Sequence, residues 1–186
     1  MEELRNAMKK VQDSERYEHT LAVAYTAACL ATVHDADVTK ALRAGLLHDC
    51  AKCILPVVQL AMCEQYNIQV SDIEHRNPFL LHAKLGARLA EEIYNEQDED
   101  VINAVANHTT GRPGMSTLEK IIFIADYIEP GRDKAPNLLE IRKMAFHDLN
   151  AALIKILQDT LAYLERRGNE IDPATRKTLE YYLQNS

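Results

Sequence analysis

Ala44-Gly45-Leu46-Leu47-His48-Asp49-Cys50-Ala51-Lys52 is the stretch on which the fold turns. Its first four residues are apolar or small on every side of a helix, so a helix over Val38 to Ala51 belongs at the centre of the protein. A histidine and an aspartate then enter where burial is expected. Burying such groups is costly unless a partner compensates, so their position is informative.

The same interruption recurs. Phe79-Leu80-Leu81 runs into His82, Val105-Ala106-Asn107 into His108, and Ile121-Ile122-Phe123-Ile124-Ala125 into Asp126. His19 precedes the small apolar face of another predicted helix. Each case alone has an ordinary explanation. Asp126 reads equally as a buried salt-bridge partner or a metal ligand. His48 and Asp49, about 100° apart on a helix, read as a satisfied core histidine beside a helix-end carboxylate. Together they are stronger. Two imidazoles and two carboxylates on separate helices, His19, His48, Asp49 and Asp126, form an H…HD…D set suited to iron, manganese, cobalt, nickel or zinc. His34, His75 and His147 fall among polar residues and read as surface histidines.

Outward from this centre the chain reads as all-α. A short helix covers Met1 to Val11, with Leu4, Met8 and Val11 on one stripe. Asp13 or Ser14 caps a second that reaches Val33. His34 to Asp37 is a loop, and Pro56 opens a helix to Tyr66. Asn67 to Pro78 reads as a polar surface loop. Leu81 to Tyr94 and Asp100 to His108 are helical, and Thr109 to Gly114 is a turn. Ser116 and Glu119 make a capping box for a helix through Ile128, stopped by Pro130 and Gly131. Asn137 to Arg167 is helix broken near His147 and Asp148. Gly168 ends it, and Asp172-Pro173 starts a last helix to Leu183. No strand, repeat or linker is evident, and residues 1–186 read as a single domain.

Composition agrees. Of 186 residues, 47% are hydrophobic and 26% charged, with six glycines, six prolines and no tryptophan. The net charge of -7 and the lack of a basic run argue against a nucleic-acid partner. The polar start is no secretory signal, and no apolar run spans a membrane, so a cytoplasmic location is expected. Cys50 and Cys53 form C-x-x-C without a second pair. They read as small buried residues on the central helix rather than a zinc or redox site.

Longer strings carry a family resemblance. These are Arg16-Tyr17-Glu18-His19-Thr20, His48-Asp49-Cys50-Ala51-Lys52, Leu80-Leu81-His82-Ala83, His108-Thr109-Thr110-Gly111, and Asp126-Tyr127-Ile128-Glu129-Pro130-Gly131-Arg132. Together they resemble the YqeK-like HD-domain family, the symmetrical bis(5′-nucleosyl)-tetraphosphatases, over nearly the whole chain. The resemblance implies a helical HD-domain bundle, a bound transition metal (iron first) and hydrolysis of diadenosine tetraphosphate to two ADP. It implies His19, His48, Asp49 and Asp126 as metal ligands. Arg16, His82, His108, Thr109 and Arg132 would face the phosphates. The Gly168–Thr175 segment resembles one that closes over the nucleoside, which brings in Asn169, Ile171 and Pro173. A homodimer is likewise implied. The chain departs from the family pattern at Asp172, where His is more common, and at Glu180-Tyr181, where an Arg-Asn pair is more common.

The chemistry is consistent with these residues. Asp49 or Asp126 can accept a proton from the attacking water, Arg16 can share a helix face with His19, and Arg132 can swing in from its Pro-Gly loop. Lys52 ranks below Arg132 as a phosphate contact. His82 and His108 read as donors to phosphate oxygens, catalytic with Asp49 and Asp126, in preference to binding a second metal. Thr110 to Gly114 is no P-loop. The competing readings are an HD-type nucleotidase or phosphodiesterase acting on another nucleotide, and a nucleotide-binding regulatory module. No Gly-Tyr-Pro follows the His-Asp pair, which weakens a cyclic-dinucleotide substrate.

Overall fold

A computed structural model describes residues 1–185. The described residues form eleven α-helices, one 3-10 turn and no strand. The helices are α1 (Glu2–Val11), α2 (Ser14–Val33), α3 (Val38–Leu47), α4 (Pro56–Gln65), α5 (Asp72–Arg76), α6 (Leu81–Glu92), α7 (Glu99–Asn107), α8 (Thr117–Ile128), α9 (Leu138–Ala145), α10 (Leu149–Arg167) and α11 (Pro173–Gln184). The 3-10 turn is Pro78–Leu80.

Local chemistry fixes most boundaries. Asp13 accepts the Arg16 amide at the start of α2, and Ser116 with Glu119 closes a reciprocal capping box on α8. Asp148 caps α10 after the break beyond α9, and Gly168 ends α10 at φ 67°. A residue with a Cβ is strained in that left-handed conformation.

Helices α2, α3 and α8 form the centre. Ile121, Ile122, Phe123, Ile124 and Ala125 are all buried, as are Ala44, Leu46 and Leu47. Gly45 lets α2 and α3 touch, since a Cβ there would lie 2.5 Å from the Ala24 Cα. The buried cluster extends from Met8 in α1 to Tyr182 in α11. No described helix is long and apolar enough to cross a membrane.

Five expectations need correction. The central helix ends at Leu47, not Ala51. Beyond it the amides of Cys50, Lys52 and Ile54 bond three residues back, and the chain tightens into successive turns. Two glutamines add side-chain bonds to carbonyls of these turns: Gln12 donates to Asp49, and Gln59 to Ala51 and Ile54. As a result only Cys50 of the cysteine pair is buried, and Cys53 is exposed. The stretch expected to be irregular, Asn67 to Pro78, contains α5, opened by a Ser71/Glu74 capping box and buttressed by Lys84 on Glu74. His34 is half-buried, its Nε2 2.7 Å from the Ala145 carbonyl. Val11 is exposed while Met8 is fully buried.

Candidate metal and phosphate site

Five elements deliver the donors. His19 comes from the second turn of α2, His48 caps α3, and Asp49 follows it. His82 lies in the first turn of α6, His108 caps α7, and Asp126 sits in the last turn of α8. His19 Nε2 is 3.0 Å from Asp126 Oδ1 and 3.8 Å from Asp49 Oδ2; His48 Nε2 is 3.4 Å from Asp49 Oδ2. On the other side, Asp49 Oδ1 is 3.3 Å from His82 Nε2 and 3.7 Å from His108 Nε2. Two donor groups therefore meet at Asp49. His19, His48 and Asp126 form one, and Asp49, His82 and His108 the other, with the donor atoms of each group within 4.8 Å of one another.

The donor atoms suit a cation. His19 Nε2 and His48 Nε2 are buried without a hydrogen-bond partner, for the 3.0 Å approach of Asp126 lacks hydrogen-bond geometry. Neutral imidazole and carboxylate are the ordinary ligands of a divalent transition metal. Burial pushes the Asp49 carboxyl upward, but the adjacent His48 and His108 outweigh it and hold it well below the usual range. Asp126 is likewise held low, burial being outweighed by the His19 ring and the charge of His48. Burial also opposes His48, yet Asp49 raises its pKa. His82 goes the other way. Burial, His108 and Lys52 push it down to about 3, so it is neutral at pH 7.

Cationic side chains ring the centre. Arg16 Nη1 lies 2.7 Å from Asp49 Oδ2, and Arg132 Nη2 2.6 Å from Asp126 Oδ1. Lys52 Nζ is 3.2 Å from His82 Nε2, and the Thr109 hydroxyl is 3.3 Å from His108 Nε2. A cleft of about 890 Å³ opens over His19, His108, Thr109 and Asp126. Arg16, Arg132 and Lys134 lie on its walls, and Tyr127, Ile156, Tyr163 and Leu164 supply apolar surface. That volume falls in the range of small-molecule sites, roughly 300–1,000 Å³.

All nine residues expected at the metal and phosphates thus lie together: Arg16, His19, His48, Asp49, His82, His108, Thr109, Asp126 and Arg132. The three expected at the nucleoside do not line this cleft. Asn169 and Pro173 are exposed and Ile171 is half-buried, and Thr175 is the residue of that segment on the cleft wall. Sequence reasoning underweighted Lys52, which is half-buried beside His82, and assigned nothing to Glu129, which accepts from the His19 ring. The available signal for Glu129 was its place at the end of α8, three residues after Asp126 and directly before the helix-stopping Pro130.

A helical bundle that gathers histidines and aspartates around a His-Asp pair defines the HD class, and residues 16–131 match the HD domain family model. The symmetrical bis(5′-nucleosyl)-tetraphosphatase of Bacillus subtilis (strain 168) is 38% identical over 185 residues, covering 100% of this chain and 98% of that one. The protein of the same name from Halalkalibacterium halodurans is 41% identical, covering 90% and 89%. A crystal structure of a predicted HD superfamily hydrolase involved in NAD metabolism, from Clostridium acetobutylicum, superposes with a TM-score of 0.96 at 38% identity. It covers 100% of this chain and 97% of that one. The chain belongs to the HD-domain family and, within it, to the symmetrical bis(5′-nucleosyl)-tetraphosphatases.

Proposed function

We propose that this chain hydrolyses diadenosine tetraphosphate symmetrically, giving two molecules of ADP. The observation that carries this reading is Asp49, a buried carboxylate whose two oxygens face two donor groups, of which His19, His108 and Asp126 open onto a cleft walled by Arg16 and Arg132. Relatives similar over nearly their whole length bear that activity in their names. His19, His48, Asp49 and Asp126 would hold the metal, with iron first and manganese, cobalt, nickel or zinc as alternatives. When bound, such an ion supplies Lewis acidity that acidifies water and offsets phosphoryl charge.

The side chains do the rest. Arg16 and Arg132 turn from the carboxylates they hold to the phosphate oxygens, where a guanidinium grips two oxygens at once. Water adds to one inner phosphorus, and the P–O bond between the two central phosphates breaks. One ADP receives the hydroxyl and the other the proton. Asp49 and Asp126, held ionised, are the proton acceptors within reach. Thr109 donates its hydroxyl to a phosphate oxygen. Asn169, Ile171 and Pro173 remain the proposed nucleoside contacts, reached from the Thr175 end of the cleft.

A second reading of His82 and His108 has its own support. Both Nδ1 atoms face backbone carbonyls, of Phe79 and Val105, so both Nε2 atoms present lone pairs toward Asp49 Oδ1. They lie 3.2 Å apart, an arrangement that calls for a cation among them. This favours a second metal over the phosphate role. The reading takes residues 1–186 as one domain, supported by the buried cluster running from Met8 to Tyr182. A cytoplasmic homodimer completes it, to be checked by light scattering.

The test is product identification after metal-supplemented hydrolysis of diadenosine tetraphosphate. ADP alone is expected. AMP with ATP would overturn symmetrical cleavage, and turnover of cyclic dinucleotides in place of diadenosine tetraphosphate would overturn the substrate.

A further inference from the structure

The four site histidines are not held alike. His48, His82 and His108 each turn Nδ1 to the carbonyl three residues earlier, of Gly45, Phe79 and Val105. All three stand at helix boundaries. His19 stands inside α2, where the preceding carbonyls serve the helix ladder. Its Nδ1 instead meets Glu129 Oε1 at 3.1 Å, 110 residues along the chain. Glu129 is 3% exposed, and its second oxygen accepts the Gly131 amide. A Cβ on Gly131 would sit 3.0 Å from that oxygen, so the loop is shaped around the carboxylate. Arg142 braces the same loop through the carbonyls of Ile128, Glu129 and Arg132.

We propose that Glu129 is a positioning residue for the metal centre. It fixes the Nδ1–H tautomer of His19, aims Nε2 at Asp126 and Asp49, and couples that ring to the loop carrying Arg132. The inference rests on the metal reading of the site but not on the identity of the substrate. The plainer alternative is a helix-end carboxylate that only closes the Gly131 loop. That role predicts lost stability without any change at the His19 ring.

Co2+ affinity, measured on folded protein by competition with a chromophoric chelator, separates the two. Glu129→Ala should weaken Co2+ binding by about 10–100-fold, the usual cost of losing a partner of a metal-ligating histidine. Glu129→Gln keeps one acceptor oxygen for the His19 ring but sets an NH2 donor against the Gly131 amide, and should recover part of the affinity. Glu129→Asp keeps the charge but withdraws it by a methylene, and should behave like Glu129→Ala. In the metal-free protein, long-range 1H–15N correlation should show His19 as the Nδ1–H tautomer, and Glu129→Ala should move its ring nitrogens. A folded Glu129→Ala that binds Co2+ like the wild type with unchanged His19 ring shifts overturns the proposal. If Glu129→Ala does not fold, the Asp variant decides, and Glu129→Asp with wild-type Co2+ affinity and unchanged His19 ring shifts overturns it. Wild-type protein that fails to bind Co2+ sinks the metal reading and this inference together. A wrong hydrolysis product sinks only the substrate.

Discussion

Asp49 is the residue at which the two donor groups join, and its surroundings show what was visible in the sequence and what was not. That a charged pair followed Ala44 to Leu47 could be read directly, because burial makes it expensive. That the two oxygens of Asp49 face different histidines could not, since this depends on the backbone tightening after Leu47. The same blind spot hid the edge-on approach of the His82 and His108 rings, 26 residues apart in sequence, with their Nε2 atoms 3.2 Å apart. This geometry makes a countable prediction. Metal analysis of wild-type protein should find two ions per chain, and His82→Ala should leave one. An unchanged count with slower turnover would return His82 to the phosphates, beside Lys52.

At the scale of elements, the contact between α2 and α3 sets the site. Gly45 is where these helices touch, and its carbonyl also receives the Nδ1 of His48. Periodicity showed both helices and their apolar faces. It did not show that this glycine is needed for close approach, because a sequence carries no interhelical distance. Gly45→Ala places a methyl group against the Ala24 backbone, which cannot move aside without parting the helices. Such overpacking costs about 1–3 kcal/mol. The gain in helix propensity, about 1 kcal/mol, offsets only part of it. Chemical denaturation of the metal-free variant should therefore show net destabilisation, and metal affinity should fall with it. A variant as stable as wild type would mean that the helices separate freely. Helix α5 was missed for a different reason. Its Ser71/Glu74 box is as explicit as the Ser116/Glu119 box, but only five helical residues follow, too few to show a period.

For the whole molecule, the donors span residues 19 to 126 and lie on α2, α3, α6, α7 and α8 or at their ends, so holding an ion ties most of the fold together. Ligand that binds only the folded state adds about 2.7 kcal/mol at 100 times its Kd. For a chain of this size that raises Tm by roughly 5–10 °C. Chelation should reverse the gain. The effect of pH on this gap has a definite sign. Asp49 and Asp126 are held low and stay ionised as pH falls from 7.5 to 5.5, so they do not drive a change there. His48 is raised, so protons compete for its Nε2 already near neutrality. In the metal-free protein its raised pKa contributes stability that is complete below the unfolded value of about 6.5 and is lost as pH rises through the folded value. His82, lowered to about 3, opposes this, because its contribution is present above about 6.5 and is lost as pH falls. These two terms have opposite signs in the metal-free protein, whereas proton competition acts only on the metal-bound form. The rise in Tm on adding metal should therefore shrink between pH 7.5 and 5.5, with the metal-free Tm changing less. Scanning calorimetry with and without chelator measures both. A metal-induced rise that is independent of pH would show that histidine nitrogens are not the ligands, and would remove the basis for the site described above.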